Sequence, residues 1–237
     1  MTEFVQTPTD VRTDLIIALR ALAAYELGDP ISGVITARVE EDANAYVCNP
    51  VGVPWEIVEE HDLVEFTIQA LESDTLLPIN REAVRNNLGL LRRDGIGAVT
   101  HVHASSAILL ATTGRHLEPF RQEACVFFED HHIIPDRFEL GFDRTSWLAE
   151  QIGDAKALAI ANHGLITQGR SIPDATAWAL FFEDMAEQFL RLLSLRLPYS
   201  LIPDDAARSF RASNGTAEAG WLHFQSLADL ADLSTAP

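Results

Sequence analysis

Apolar and polar positions along the chain alternate with two different periods, and the changes of period mark its elements. Residues 11–27 place Leu15, Leu19 and Leu22 on one stripe, which predicts a helix ended by Gly28 and Pro30. Residues 33–39 and 45–48 read as short strands around a polar turn at 40–44. Asn49-Pro50-Val51-Gly52 is turn chemistry, and residues 63–69 alternate like a further strand. Helical spacing returns at 81–93 through Val84, Leu88 and Leu91. Residues 97–103 predict a strand and 104–110 the small-residue start of a helix, with a further strand at 124–128. Residues 157–161 are wholly apolar and run into Asn162-His163-Gly164. A long helix follows, with Ser171 as N-cap and Pro173 in its first turn. Its stripe of Trp178, Phe181, Phe182, Met185, Phe189, Leu192 and Leu193 is assigned to the core, and Pro198 ends the helix. Strands and helices mixed without regular βαβ alternation indicate an α/β fold with a mixed or antiparallel sheet under helices.

Composition narrows the class. A chain of 237 residues, 47% hydrophobic and 22% charged, can bury a sizeable core as one large domain or two small ones. We read residues 10–200 as a single domain and the Ala/Asp/Ser-rich stretch 201–237 as a loosely packed extension or an oligomer contact. Acidic side chains outnumber Lys and Arg by 35 to 17, and the net charge of -18 excludes nucleic acid and anionic membrane as partners. Cys48 and Cys125 alone make neither a disulfide framework nor a four-cysteine zinc site. Residues 1–14 lack the basic and apolar regions of a signal peptide, and no apolar run reaches the about 18 residues of a membrane span. The expected location is the cytoplasm.

Candidate chemistry lies in the histidines. His101 and His103 alternate with Val102 on an expected strand, so both imidazoles face the same way with Cα atoms about 6–7 Å apart. Such a pair can converge on one metal ion, or be two half-buried rings satisfied by backbone carbonyls. His163 stands at the end of an apolar strand, before a glycine that permits a tight turn. A third imidazole there completes a three-nitrogen set suited to Zn²⁺, Mn²⁺, Fe²⁺ or Co²⁺ with open positions for substrate, unless it only hydrogen-bonds within its turn. His131 and His132 follow Asp130 and read as loop hydrogen-bonding residues, with a second metal site as the alternative. Trp55, Phe127 and Phe128 read as core, with one of them lining a pocket for an aromatic ring as the alternative.

His101-Val102-His103, Asn162-His163-Gly164 about sixty residues later, Gly33 with Thr36-Ala37-Arg38, and Asn49-Pro50-Val51-Gly52 together resemble the class II aldolase/adducin family over residues 15–197. That family includes sugar-phosphate aldolases and epimerases, adducin head domains, decarboxylases and a few iron oxygenases. The resemblance implies a three-layer α/β/α fold with a mainly antiparallel central sheet, and a homotetramer with active sites between subunits. It assigns His101, His103 and His163 as metal ligands, zinc first among the candidate ions. The family's catalytic acid precedes the first of these histidines by nineteen residues, which is Glu82 here. Glu82 would then be the general acid/base, and a further metal ligand when substrate is absent; its alternative role is a solvated glutamate complementing the dipole of its helix.

Departures from the family pattern bear on substrate. Where sugar-phosphate aldolases carry small hydroxyl side chains and an asparagine around the phosphate, this chain has Val34, Val51, Asn80 and Arg81. Arg81 suits a planar carboxylate, and Arg115 is a second candidate anion contact; Asn80 and Gly52 complete the expected substrate-binding set. Asn86 stands where the family often has a histidine. The expected activity is a divalent-metal-dependent carbon–carbon lyase, decarboxylase or aldolase in type, acting on a small non-phosphorylated hydroxy- or keto-carboxylate. The alternatives are a non-heme Fe(II) oxygenase, an aldolase or epimerase of sugar phosphates, and a non-catalytic adducin-like assembly domain.

Overall fold

A computed structural model describes residues 10–39, 42–73, 75–137 and 143–234. Part of the expected turn at 40–44, residues 1–9 of the leader and residues 235–237 of the tail lie outside the described residues. Seven strands form one sheet in the order β3-β2-β1-β4-β7-β6-β5, with β1 Val34–Val39, β2 Asp42–Cys48, β3 Val64–Thr67, β4 Ala98–Val102, β5 His131–Pro135, β6 Ala157–Ala161 and β7 Gly164–Gly169. All neighbours are antiparallel except β5 and β6. The helices are α1 Val11–Ala24, α2 Ile68–Glu72, α3 Arg81–Leu91, α4 Ser105–Thr112, α5 Arg144–Ile152, α6 Ile172–Ser194, α7 Asp204–Asn214 and α8 Ala217–Ser234. No helix among the described residues is long and apolar enough to cross a membrane.

Because strand side chains alternate, the sheet feeds two cores. Ile35, Ala37, Val102 and Leu165 pack with the stripes of α1 and α6, where Leu15, Leu19, Phe182 and Phe189 are fully buried. Val34, Val99, Leu158 and Ile166 pack on the opposite face with Val84 and Leu88 of α3 and Leu148 and Ile152 of α5. This is the expected three-layer α/β/α arrangement, and each fully buried side chain contributes about 1.5–3 kcal/mol of transfer free energy.

Several boundaries differ from the sequence expectation for physical reasons. Helix α1 stops before Gly28 because Glu26 adopts a left-handed φ of 60°, while the Leu27 N–H donates to Leu22 O at 2.8 Å. The strand expected at 63–69 ends early, because the Thr67 hydroxyl accepts from Ala70 N–H at 3.2 Å and caps α2. Residues 124–128 are not a strand: Glu123–Phe127 is a 3-10 helix, and a short apolar run does not distinguish a buried helix from a buried strand. Strand β5 lacks a strand signal in the pattern because it opens with two histidines and closes on a proline, which an edge strand tolerates. Helix α5 and strand β7 are likewise additions to the expected elements.

The tail is a further correction. Helix α8 packs on α6 and α1, and Phe224 is fully buried in the larger core, where the composition suggests loose packing. Ser171 does cap α6, with its N–H donating to the Asp174 carboxylate at 2.7 Å. Trp55 and Phe127 are fully buried as expected, whereas Phe128 is half-buried under the Arg208 guanidinium.

His131 also departs from its expected place in a loop. It is buried on β5 and held by backbone at both ring nitrogens, Nδ1 at 2.7 Å from Phe127 O and Nε2 accepting from Leu117 N–H at 3.0 Å. Neither nitrogen is left for a metal. Burial pushes its pKa down to about 4, against the Phe127 carbonyl that favours the charged ring. The folded state therefore resists protonation, so stability is complete above about pH 6.5 and lost as pH falls toward about 4. Denaturant unfolding at about pH 7.5 and about pH 4.5 should show the native chain losing about 2–3 kcal/mol more than a His131→Gln variant. Equal losses would refute the assignment.

Candidate metal centre and active site

The two histidine motifs meet because β4 and β7 are neighbours. His101 faces Ile166 across that pairing, and Val102 faces Leu165. His103 lies just past the end of β4, and His163 occupies the tight turn entering β7, its N–H donating to Ile160 O at 3.1 Å. Asn162 supplies the left-handed residue of that turn at φ 60°, a conformation asparagine tolerates. One ligand atom from each of the three rings lies within 4.8 Å of the others. Gly164 permits this: a Cβ there would lie 2.9 Å from Val102 O and 3.1 Å from His101 Cε1.

The environment of the rings fits a divalent cation. His103 Nδ1 is 2.8 Å from Asp29 Oδ2, and His163 Nδ1 is 2.6 Å from Asp136 Oδ2. A carboxylate at Nδ1 holds the proton there and turns the Nε2 lone pair toward the cluster. Arg144 Nη2 is also 2.9 Å from His163 Nδ1, but that nitrogen cannot both donate to Asp136 and accept from Arg144. The Arg144 contact that counts is its ion pair with Asp136 Oδ1 at 2.6 Å. His101 is different. Its Nδ1 is buried with no hydrogen-bond partner. Burial, with His163, His103 and Arg144 nearby, pushes its pKa down to about 3, so it is neutral and keeps a lone pair for a metal. Burial works to raise both carboxyls, yet both lie below the usual range. For Asp29 the Ser32 N–H and His103 outweigh burial; for Asp136 it is His163, the Arg137 N–H and Arg144. Three converging imidazoles, two of them braced by carboxylates, suit Zn²⁺, Fe²⁺, Co²⁺ or Mn²⁺.

A cavity of about 230 Å³ opens over the cluster, lined among others by Asn80, Glu82, Asn86, Arg144 and Leu148. Asn80 is the N-cap of α3, its Oδ1 accepting from Ala83 N–H at 3.1 Å, which sets Glu82 in the first helical turn. Glu82 faces the same cavity as the histidines without belonging to their converging set. Three expected substrate contacts do not line this cavity. Arg81 turns away and donates to the carbonyls of Leu71 and Thr75. Gly52 takes a left-handed φ of 84° and spends its N–H on Pro30 O at 2.6 Å. Arg115 is exposed, paired with Glu118 at 3.0 Å and bonded to the Tyr199 hydroxyl.

Other motif residues are scaffold. Asn49 accepts from Ile35 N–H at 2.9 Å, and the Arg38 Nε–H donates to Ile96 O at 3.3 Å. Glu183 of α6 accepts from the Ser106 and Ala107 N–H groups, each at 2.8 Å, and so fixes the start of α4 just after His103. Asp29, Asp136 and Arg144 carry no signal in the sequence pattern. Asp29 and Asp136 lie 74 and 27 positions from the histidines they orient, and no local spacing announces such pairs.

Comparison with known proteins agrees with this geometry. Residues 13–190 match the class II aldolase and adducin N-terminal domain. The chain is 30% identical over 216 residues, 89% of its length and 78% of the relative's, to 4-hydroxy-3-prenylphenylpyruvate oxygenase/4-hydroxy-3-prenylbenzoate synthase of Streptomyces roseochromogenus subsp. oscitans. It is 29% identical over 221 residues, 91% of its length and 81% of the relative's, to the decarboxylase NovR of Streptomyces niveus. The solved L-fuculose 1-phosphate aldolase from Glaciozyma antarctica PI12 superposes with a TM-score of 0.83 at 20% identity, covering 97% of this chain and 94% of that one. The matching fold, the family match over most of the chain and the assembled histidine cluster lead to one conclusion: the protein is a member of the class II aldolase and adducin family.

Proposed function

We propose that the chain is a divalent-metal-dependent carbon–carbon lyase, decarboxylase in type, acting on a non-phosphorylated hydroxy- or keto-carboxylate. The observation that carries this reading is the convergence of His101, His103 and His163 on one wall of a cavity that Glu82 also lines. A divalent ion held by the three imidazoles would supply Lewis-acid polarisation of a substrate oxygen. Asp29 and Asp136 keep His103 and His163 in the tautomer that presents Nε2. Glu82 moves the proton at the reacting carbon or oxygen, in the role the family pattern implies. Leu148, Ile160 and Ile166 line the apolar side and exclude water.

The turn at 51–52 supports the non-phosphorylated substrate. A phosphate cradle needs free backbone amides. Here Val51 N–H donates to Pro78 O at 2.8 Å and Gly52 N–H to Pro30 O at 2.6 Å, so both are already committed. With the family resemblance the reading also carries a homotetramer of the cytoplasm.

A second reading, an Fe²⁺-dependent oxygenase, is favoured by the name of the Streptomyces roseochromogenus relative. Anaerobically purified protein, loaded with Zn²⁺ or Fe²⁺ and given keto- and hydroxy-carboxylates, separates the two. Metal-dependent CO₂ release without O₂ uptake is expected. O₂ uptake matched to turnover, found only with iron, would replace the lyase by the oxygenase.

A further inference from the structure

Of the described residues lining the cavity over the histidine cluster, Arg144 is the one arginine, and no lysine joins it. It occupies the first position of α5, behind the N-cap Asp143. Its side chain is only 14% exposed, and its partner Asp136 is 1% exposed. A guanidinium this far from water needs more than one acceptor to recover its hydration. Asp136 Oδ1 accepts from Nη2 at 2.6 Å and Arg137 O accepts from Nη1 at 2.7 Å. Asp136 balances the charge of the arginine while its other oxygen accepts from His163 Nδ1. Among the described residues, Asp136 Oδ1 and Arg137 O take only two of the five guanidinium N–H groups, which leaves donors for a further anion. Leu148, one turn further along α5, lines the same cavity, with Ile160 and Ile166 beside it. The cavity thus offers a planar cation next to a metal-type cluster at one side and an apolar wall along the same helix.

We propose that Arg144 is the carboxylate-recognising residue of this cavity, selecting an organic acid whose apolar body lies along Leu148. The assignment rests on the lyase reading of the site and moves to Arg144 the role that Arg81, turned out to the carbonyls of Leu71 and Thr75, does not fill. A guanidinium fork matches the two oxygens of a carboxylate, while a neutral ester or amide gains little from it. The acid then lies with its carboxylate on Arg144 and its adjoining oxygen toward the histidines. The apolar wall of Leu148, Ile160 and Ile166 disfavours polyhydroxyl chains such as those of sugars, whose hydroxyls would lose water there without partners.

The test measures binding of phenylpyruvate and of its methyl ester to zinc-loaded protein by calorimetry, in the native chain and in Arg144→Met and Arg144→Lys variants. Bound zinc is measured in each. Arg144→Met should bind the acid about 10–100-fold more weakly, with ester affinity and zinc content unchanged. Arg144→Lys, which keeps the charge and loses the fork, should fall between. Acid binding unaltered in Arg144→Met would overturn the proposal and leave the lyase reading standing. Loss of acid, ester and zinc together would make Arg144 a structural support of His163 and also overturn it. Zinc-loaded native protein that binds neither ligand would overturn both the proposal and the keto-acid reading.

Discussion

A His101→Ala variant is expected to lose its divalent metal, with affinity reduced by well over the about 100-fold that removing only an outer partner of a ligand costs. His163→Ala should behave the same way, and activity should fall with the metal in both. His101 is the strongest of the three candidates because it is buried, neutral and unpartnered at Nδ1. Without a cation to bind, a desolvated imidazole in that position is a net cost to folding. The alanine variants should therefore stay folded while the metal is lost. His61→Ala is the control, since that ring is 76% exposed and outside the converging set. Elemental analysis after dialysis, with circular dichroism for the fold, reads the result. Full metal retention in His101→Ala and His163→Ala would remove the enzymatic reading and favour an adducin-like assembly domain.

Glu82→Gln should lower kcat by about 10²–10⁴-fold, the usual contribution of a positioned acid or base, while metal content stays at the native level. The amide keeps the size and the hydrogen-bonding reach of the carboxylate and removes only its ability to exchange a proton. Glu82 sits in the first turn of α3, where its charge also complements the helix dipole. A solvated, merely structural glutamate would predict a modest loss of stability, of the order of 0.3–1 kcal/mol, and no change in kcat. Comparing kcat with denaturation midpoint separates the roles. Native turnover in the glutamine variant would reject Glu82 as the acid/base.

Much of the architecture is legible in the order of residues alone. The apolar stripe of α6 needs only the 3.6-residue period, and the capping signal at Ser171 marks its start. Strands β1, β2, β4 and β6 are legible from alternation or from unbroken apolar runs. The histidine constellation is legible as well: strand alternation puts His101 and His103 on one side, and Gly164 marks the tight approach beside His163. What misleads is local chemistry with two outcomes. An apolar pentapeptide at 124–128 folds as a 3-10 helix, and the acidic, alanine-rich tail becomes two helices with Phe224 in the core. In both places long-range packing, which leaves no periodic trace, decides between local options of similar energy.

Substrate contacts show the division most clearly. Residue type identifies arginine as the group suited to a carboxylate, but Arg81 and Arg115 do not line this cavity. Whether a long flexible side chain reaches a pocket depends on which acceptors surround it. The carbonyls of Leu71 and Thr75 capture Arg81, and Glu118 captures Arg115. Arg144 arrives from a helix whose weak apolar pattern does not announce it. From sequence alone come the mixed α/β class and the metal-type histidine triad, because each is written in short, regular spacings, while the layered arrangement and Glu82 come from the family resemblance. Only the tertiary structure decides that Asp29, Asp136 and Arg144 surround the triad, because that depends on contacts between residues far apart in the chain.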